Sequence, residues 1–133
     1  MDILSFNIIS DFIKKEINEQ CGLNLSQTRL LLFFDGNQNQ PLTMGNLAQS
    51  LNISLSTLSR QLQQDKTKKL INITKSDNDS SKKVNLNNIG IEKMTTLKST
   101  LKQIENQLFN SFAPNDSMFF IKQLTILARK AMF

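Results

Sequence analysis

Ser54, Ser56, Thr57, Ser59, Arg60, Gln63 and Gln64 crowd into one short stretch of the chain, and Lys75, Lys82 and Lys83 follow soon after. These side chains donate and accept hydrogen bonds, and the charged ones are cations. They suit the edges of bases and the oxygens of phosphates: an arginine forks onto guanine, and a glutamine bonds adenine through two bonds. They do not suit catalysis. The sequence contains no histidine, so it has no imidazole base, no histidine ligand and no Ser-His-Asp triad. It also lacks a glycine-rich phosphate loop and a paired nucleophile and base. Its single cysteine allows neither an intrachain disulfide nor a cysteine-rich zinc site. The expectation is a protein that is not an enzyme and uses no cofactor or metal.

The charge is concentrated where these residues lie. Residues 1–54 hold three basic and five acidic side chains, a net of −2. Residues 55–83 hold seven basic and three acidic, a net of +4, and residues 84–133 six and three, a net of +3. A concentrated basic stretch is the electrostatic footprint of a phosphate-binding surface, although a solvated lysine-rich face has the same composition.

The elements that must position these residues follow from periodicity and punctuation. Apolar residues from Ile3 to Ile17 recur at helical spacing, and Gly22 closes that helix, about 3–20. Ser26 is the expected cap of a second helix through Leu30 to Phe34, apolar nearly all round and so central. A polar turn, Asp35 to Asn39, and Pro41 lead to Thr43, a further candidate DNA contact and the expected cap of a short helix ending near Ser50. Ser54 then caps a helix expected to reach Lys68, with Leu55, Leu58 and Leu62 inward. Ser56, Thr57, Arg60, Gln63, Gln64 and Thr67 fall on its far face. Asp65 falls on the apolar face, where burial needs a cation to meet it.

Two short helices joined by so tight a turn make a helix-turn-helix, and Asn52 suits the left-handed turn position. Two alternating runs follow, Leu70 to Thr74 and Lys83 to Leu86, separated by a stretch rich in turn formers. They predict a hairpin, hence a winged helix-turn-helix. Asn87 or Asn88 is the expected cap of a long helix to about Phe112, and Asn115 that of a last, heavily apolar one. So apolar a terminal helix needs a partner surface, and a second copy of the chain is the expected one. The fold class expected is mainly α with a small β-wing: one domain over 1–133, a DNA-binding lobe at 25–87, and dimerisation helices at 1–22 and 88–133. Ile3, Phe6, Leu108, Phe112, Phe119, Phe120, Leu124 and Leu127 are the candidate dimer contacts.

The sequence resembles the MarR family of winged-helix transcription regulators. The resemblance begins at Leu23-Asn24-Leu25-Ser26-Gln27. It is strongest over Leu42-Thr43-x-x-x-Leu47-Ala48-x-x-Leu51-x-Ile53-Ser54-x-x-Thr57-Leu58-Ser59-Arg60, and it runs through Leu70-Ile71 to Leu86-Asn87-x-x-Gly90. It implies a cytoplasmic homodimer that binds double-stranded DNA at a pseudo-palindromic operator, usually as a repressor, with release by a small phenolic or anionic ligand. Two departures stand out. Where the family ends its recognition helix with Leu-Glu-x-x-Gly-Leu, this chain has Asp65-Lys66-Thr67-Lys68-Lys69-Leu70. Where the family's wing carries an arginine after an aspartate, Asp79 is followed by Ser80 and Ser81, and the arginine's role either passes to Lys82 or Lys83 or is missing. Lysine is the poorer planar fork. The alternative is therefore a winged-helix protein-interaction module with weak or no specific DNA binding.

Some members of the family sense oxidation through a cysteine near the start of the first helix. Cys21 lies at that helix's end, where the dipole disfavours a thiolate, so a structural role is expected over a redox one. No apolar run approaches the ~18 residues that span a bilayer, and the start lacks a basic signal-peptide region.

Overall fold

A computed structural model describes residues 1–75 and 81–132. The wing residues 76–80, Asp79 among them, lie outside the described part. Two compact units are present, Met1–Leu101 and Lys102–Phe133.

The first unit opens with α1, Ile3–Cys21. Asp2 caps it: its carboxylate accepts from the Leu4 N–H and from the Ser5 hydroxyl at 2.7 Å. The Ser5 bond holds the Asp2 carboxyl below its ordinary pKa. Gly22 ends the helix at φ 68°, the left-handed conformation glycine adopts without steric cost. The second helix, α2, spans Leu25–Gly36, and its cap is Asn24 rather than Ser26. Asn24 Oδ1 accepts from the Gln27 N–H while Gln27 Oε1 accepts from the Asn24 N–H, each at 2.9 Å, a reciprocal capping box. Leu30, Leu31 and Phe34 are buried, but Leu32 is exposed, so α2 is buried on one side and not all round.

Strand β1, Leu42–Thr43, leads directly into α3, Met44–Ser50. Leu51 and Asn52 make the turn, with Asn52 at φ 56° as its residue type suggested. Helix α4 is shorter than expected, Leu55–Gln63. Gln64 is extended, and a separate turn of helix, α5, covers Asp65–Lys68. This break moves Asp65 out of the apolar stripe into the exposed first turn of α5. There a carboxylate meets the favourable end of the helix and needs no burial. It also turns Thr67 inward: Thr67 is buried and accepts a hydrogen bond from Gln27 Nε2 at 3.2 Å, so it is not on the outer face. Leu55 departs from expectation too, since it is exposed while Leu58 and Leu62 are buried.

The hairpin pairs β2, Ile71–Lys75, with β3, Lys82–Leu86. β1 adds to the other side of β3, giving the antiparallel order β1-β3-β2. The two-residue β1 is too short for periodicity to reveal. Phe34, Leu31, Leu47, Leu58, Val84 and Leu97 are fully buried and form the core of this unit. Each such leucine contributes roughly 1.5–3 kcal/mol by leaving water.

Helix α6 spans Asn88–Phe109, ending a turn before the expected Phe112. In the second unit, α7 covers Pro114–Ala131. Its cap position is Ala113, not Asn115. Pro114 takes the first helical position, where its missing N–H leaves nothing unsatisfied. Phe109, Phe112 and Phe120 form a ring cluster with centroids 5.2, 5.7 and 6.2 Å apart. None of α7's residues is buried.

Candidate nucleic-acid interface

The helix-turn-helix is built by caps. Thr43 Oγ1 accepts from the Asn46 N–H at 3.2 Å and starts α3. Arg29, on α2, donates from Nη2 to the Leu51 carbonyl at 2.6 Å, satisfying the end of α3 at the turn. Ser54 Oγ accepts from the Thr57 N–H at 3.1 Å and starts α4. The same hydroxyl donates to Thr57 Oγ1 at 2.8 Å and lies 3.1 Å from Ser56 Oγ. Arg60 Nη2 donates to Thr57 Oγ1 at 3.4 Å, which aligns the guanidinium along the helix. Ser54, Ser56, Arg60 and Gln63 are exposed, and Thr57 and Ser59 are half-buried. Gln64 is exposed at the break after α4 and accepts from Asn24 Nδ2 at 3.5 Å. One outer face of α4 therefore presents hydroxyls, an amide and a guanidinium.

The hairpin register sets the wing's charge. Ile71, Ile73 and Lys75 alternate on one face of β2, opposite Leu86, Val84 and Lys82 of β3. Burial stops along this face: Ile71, Val84 and Leu86 are buried, whereas Lys75 and Lys82 are exposed. Lys75 is thus paired directly with Lys82, and Lys83 sits on the opposite face across from Thr74. Like charges directly opposite on a strand pair destabilise it. Among the described residues, Arg60, Lys75, Lys82 and Lys83 form no salt bridge. Two cations held opposite each other offer a phosphate a shared positive site.

Three buttresses hold the wing, and of these the sequence offered Asn87 alone, as a helix cap. Asn39, at φ 56°, uses its side-chain amide as a strand residue would: Oδ1 accepts from the Leu86 N–H at 2.8 Å and Nδ2 donates to the Leu86 carbonyl at 3.0 Å. Asn87 Oδ1 accepts from the Gly90 N–H, capping α6, while its Nδ2 donates to the Lys69 carbonyl at 2.9 Å. Gly90 lets α6 approach the Leu70 carbonyl, where a Cβ would overlap the oxygen. The third buttress is the Gln27–Thr67 bond. Asn87 carried a signal as a helix cap, and the Asn24-x-x-Gln27 spacing that of a capping box; the bonds to Lys69, Leu86 and Thr67 carried none.

Of the other candidates, Cys21 ends α1, is buried, and donates from Sγ to Thr100 Oγ1 at 3.3 Å. Ile3 and Phe6 on α1 and Phe119, Leu124 and Leu127 on α7 are exposed. Leu108 is half-buried, and Phe112 and Phe120 belong to the ring cluster. Among the described residues, the cavities of the first unit include two beside its helices. One, of about 280 Å³, is lined by Phe34, Leu86, Ile91 and Met94 and edged by the Asp35–Lys98 ion pair. The other, of about 310 Å³, has an apolar floor including Leu23, Leu70 and Ile89, and is edged by Lys66, Lys69 and Lys93. Among the described residues there is no cluster of three His, Cys, Asp or Glu side chains that could hold a metal. No helix among them is long and apolar enough to cross a membrane.

A helix-turn-helix with a β-hairpin wing, flanked by a helix before it and helices after it, defines the winged-helix class seen in MarR-type transcription regulators. The solved structures it matches are of that kind. MarR itself is similar with a TM-score of 0.78 at 18% identity, covering 99% of this chain and 92% of MarR. The MepR–DNA complex of S. aureus is similar with a TM-score of 0.76 at 22% identity, covering 98% of both chains. AbsC, a MarR-family transcriptional regulator from Streptomyces coelicolor, is similar with a TM-score of 0.71 at 19% identity, covering 95% of this chain and 86% of AbsC. At these identities the likeness establishes the fold. No protein-family model and no curated protein sequence matches the chain.

Proposed function

We propose that this chain is a MarR-family regulator that acts as a homodimer, binds a pseudo-palindromic operator in double-stranded DNA and represses transcription. Residues 25–87 form its DNA-binding lobe, and 1–22 and 88–133 its dimerisation helices. The observation that carries the reading is the Lys75–Lys82 pair on a wing that follows an exposed polar recognition helix, α4. This repulsive pair has a reason if phosphate lies against it. The outer face of α4 lies in the major groove, where Ser56, Arg60 and Gln63 meet base edges. The wing lysines hold the neighbouring backbone. MepR, which shares the fold, has been solved bound to DNA. The exposed apolar residues of α1 and α7, including Ile3, Phe6, Phe119, Leu124 and Leu127, supply the dimer contact, since surfaces so apolar are seldom left in water.

Release by a small phenolic or anionic effector is part of the proposal. The lysine-edged cavity beside Gln27 and Leu70 suits such a ligand, and PefR, of the same fold, has been solved with heme. The role is non-catalytic and the setting cytoplasmic. A second reading, a protein-interaction module, rests on Lys69 in place of the family's glycine and on lysines where the wing usually has an arginine. Selection of bound sequences from a random DNA library at moderate salt decides between them. The proposal expects a two-fold symmetric site with half-site centres ~10–10.5 bp, or a multiple, apart. Recovery of unselected DNA alone favours the second reading.

A further inference from the structure

The first turn of α4 carries an apolar side chain that its core does not use. Leu55 is the first residue of the helix and is 54% exposed, although Leu58 and Leu62 on the same helix are buried. Its neighbours are polar and engaged with one another. Ser54 holds the Thr57 N–H and hydroxyl, Ser56 lies against Ser54, and Arg60 reaches Thr57. These hydroxyls have part of their bonding capacity already committed. The helix therefore leads with a branched apolar group set among partly satisfied hydroxyls.

In the major groove one base presents an apolar feature, the C5 methyl of thymine. Recognition helices meet base edges with their N-terminal residues. We infer that Leu55 is a specificity-determining residue, which packs on a thymine methyl in each half-site and makes the operator prefer thymine there. The inference rests on the DNA-binding reading. It adds a contact that hydrogen-bond matching of Arg60 and the glutamines does not supply.

Burying one methyl is worth a factor of about four in affinity per half-site. The test is a set of selected operators in which uracil, which lacks only that methyl, replaces each thymine in turn in both half-sites. Binding is measured for the full chain and for Leu55→Ala. Leu55 is exposed and alanine is the better helix former, so the variant should keep its stability. The expected result is one symmetric thymine position whose replacement weakens the unaltered chain by roughly fifteenfold and leaves Leu55→Ala unchanged. Tight binding by the unaltered chain with uracil tolerated everywhere overturns the inference and leaves the DNA-binding reading standing. Equal losses in both proteins do the same. Failure of the unaltered chain to bind any selected sequence overturns both, whereas failure of Leu55→Ala alone, a loss far beyond one methyl contact, overturns only the inference.

Discussion

Replacing Asn39 should uncouple the wing from the lobe that carries it. Its amide makes two bonds to the backbone of Leu86, a residue only 3% exposed. Asn39→Gly keeps the left-handed backbone but leaves the Leu86 N–H and carbonyl without that partner, each such group costing about 1–3 kcal/mol. Partial access of water at the strand end puts the combined loss at about 2–4 kcal/mol. Asn39→Ala should lose about 1 kcal/mol more, because a side chain at φ 56° is strained once the local amide bonds are gone. Asn39→Asp keeps the acceptor for the Leu86 N–H and loses the donor, so it should fall between the unaltered chain and the glycine variant. Urea unfolding at one fixed protein concentration measures this, because a dimer's stability depends on concentration. Asn39→Gly within about 0.5 kcal/mol of the unaltered chain refutes the argument that the amide substitutes for a strand. Alanine as stable as glycine refutes the strain component.

Three further outcomes follow from the geometry. Gly90→Ala should destabilise by about 1–3 kcal/mol, because its Cβ meets the Leu70 carbonyl, which cannot move without breaking the hydrogen bond it accepts from the Asn87 N–H at 3.0 Å; thermal unfolding reads the loss. Arg60→Ala should relax sequence preference at one base pair per half-site by about 1–3 kcal/mol, whereas Lys83→Ala should weaken all sequences alike; competition binding with point-mutated operators separates the two. With no histidine in the chain, DNA affinity at constant ionic strength should stay flat between about pH 5.5 and 7; a transition near 6.5 in a fluorescence-anisotropy titration would contradict this.

The sequence was legible where local signals and the core agree. Thr43 and Ser54 cap their helices, Asn52 turns left-handed, and Leu47, Leu58 and Val84 are buried as their spacing requires. It was less legible where a tertiary partner decides. The stripe of Leu58 and Leu62 continues on a helical wheel through Asp65, so the break at Gln64 was invisible. The break instead follows from Thr67 finding Gln27, forty residues earlier in the chain. Leu55 reads as core by spacing alone, yet at the leading end of α4 it is not covered. Asn39 sits among ordinary turn formers, and Asn87 reads only as a helix cap; the folded strand shows that their amides also hold Leu86 and Lys69.

The central claim, that α4 and the wing bind the DNA backbone and bases, is tested most directly by affinity against salt. If Lys75, Lys82 and Lys83 of both subunits neutralise about six phosphates, log affinity against log salt should fall with a slope of about −5. Lys75→Ala with Lys82→Ala should make the slope shallower by about 3. A slope near zero, or one that the double variant leaves unchanged, would contradict the account.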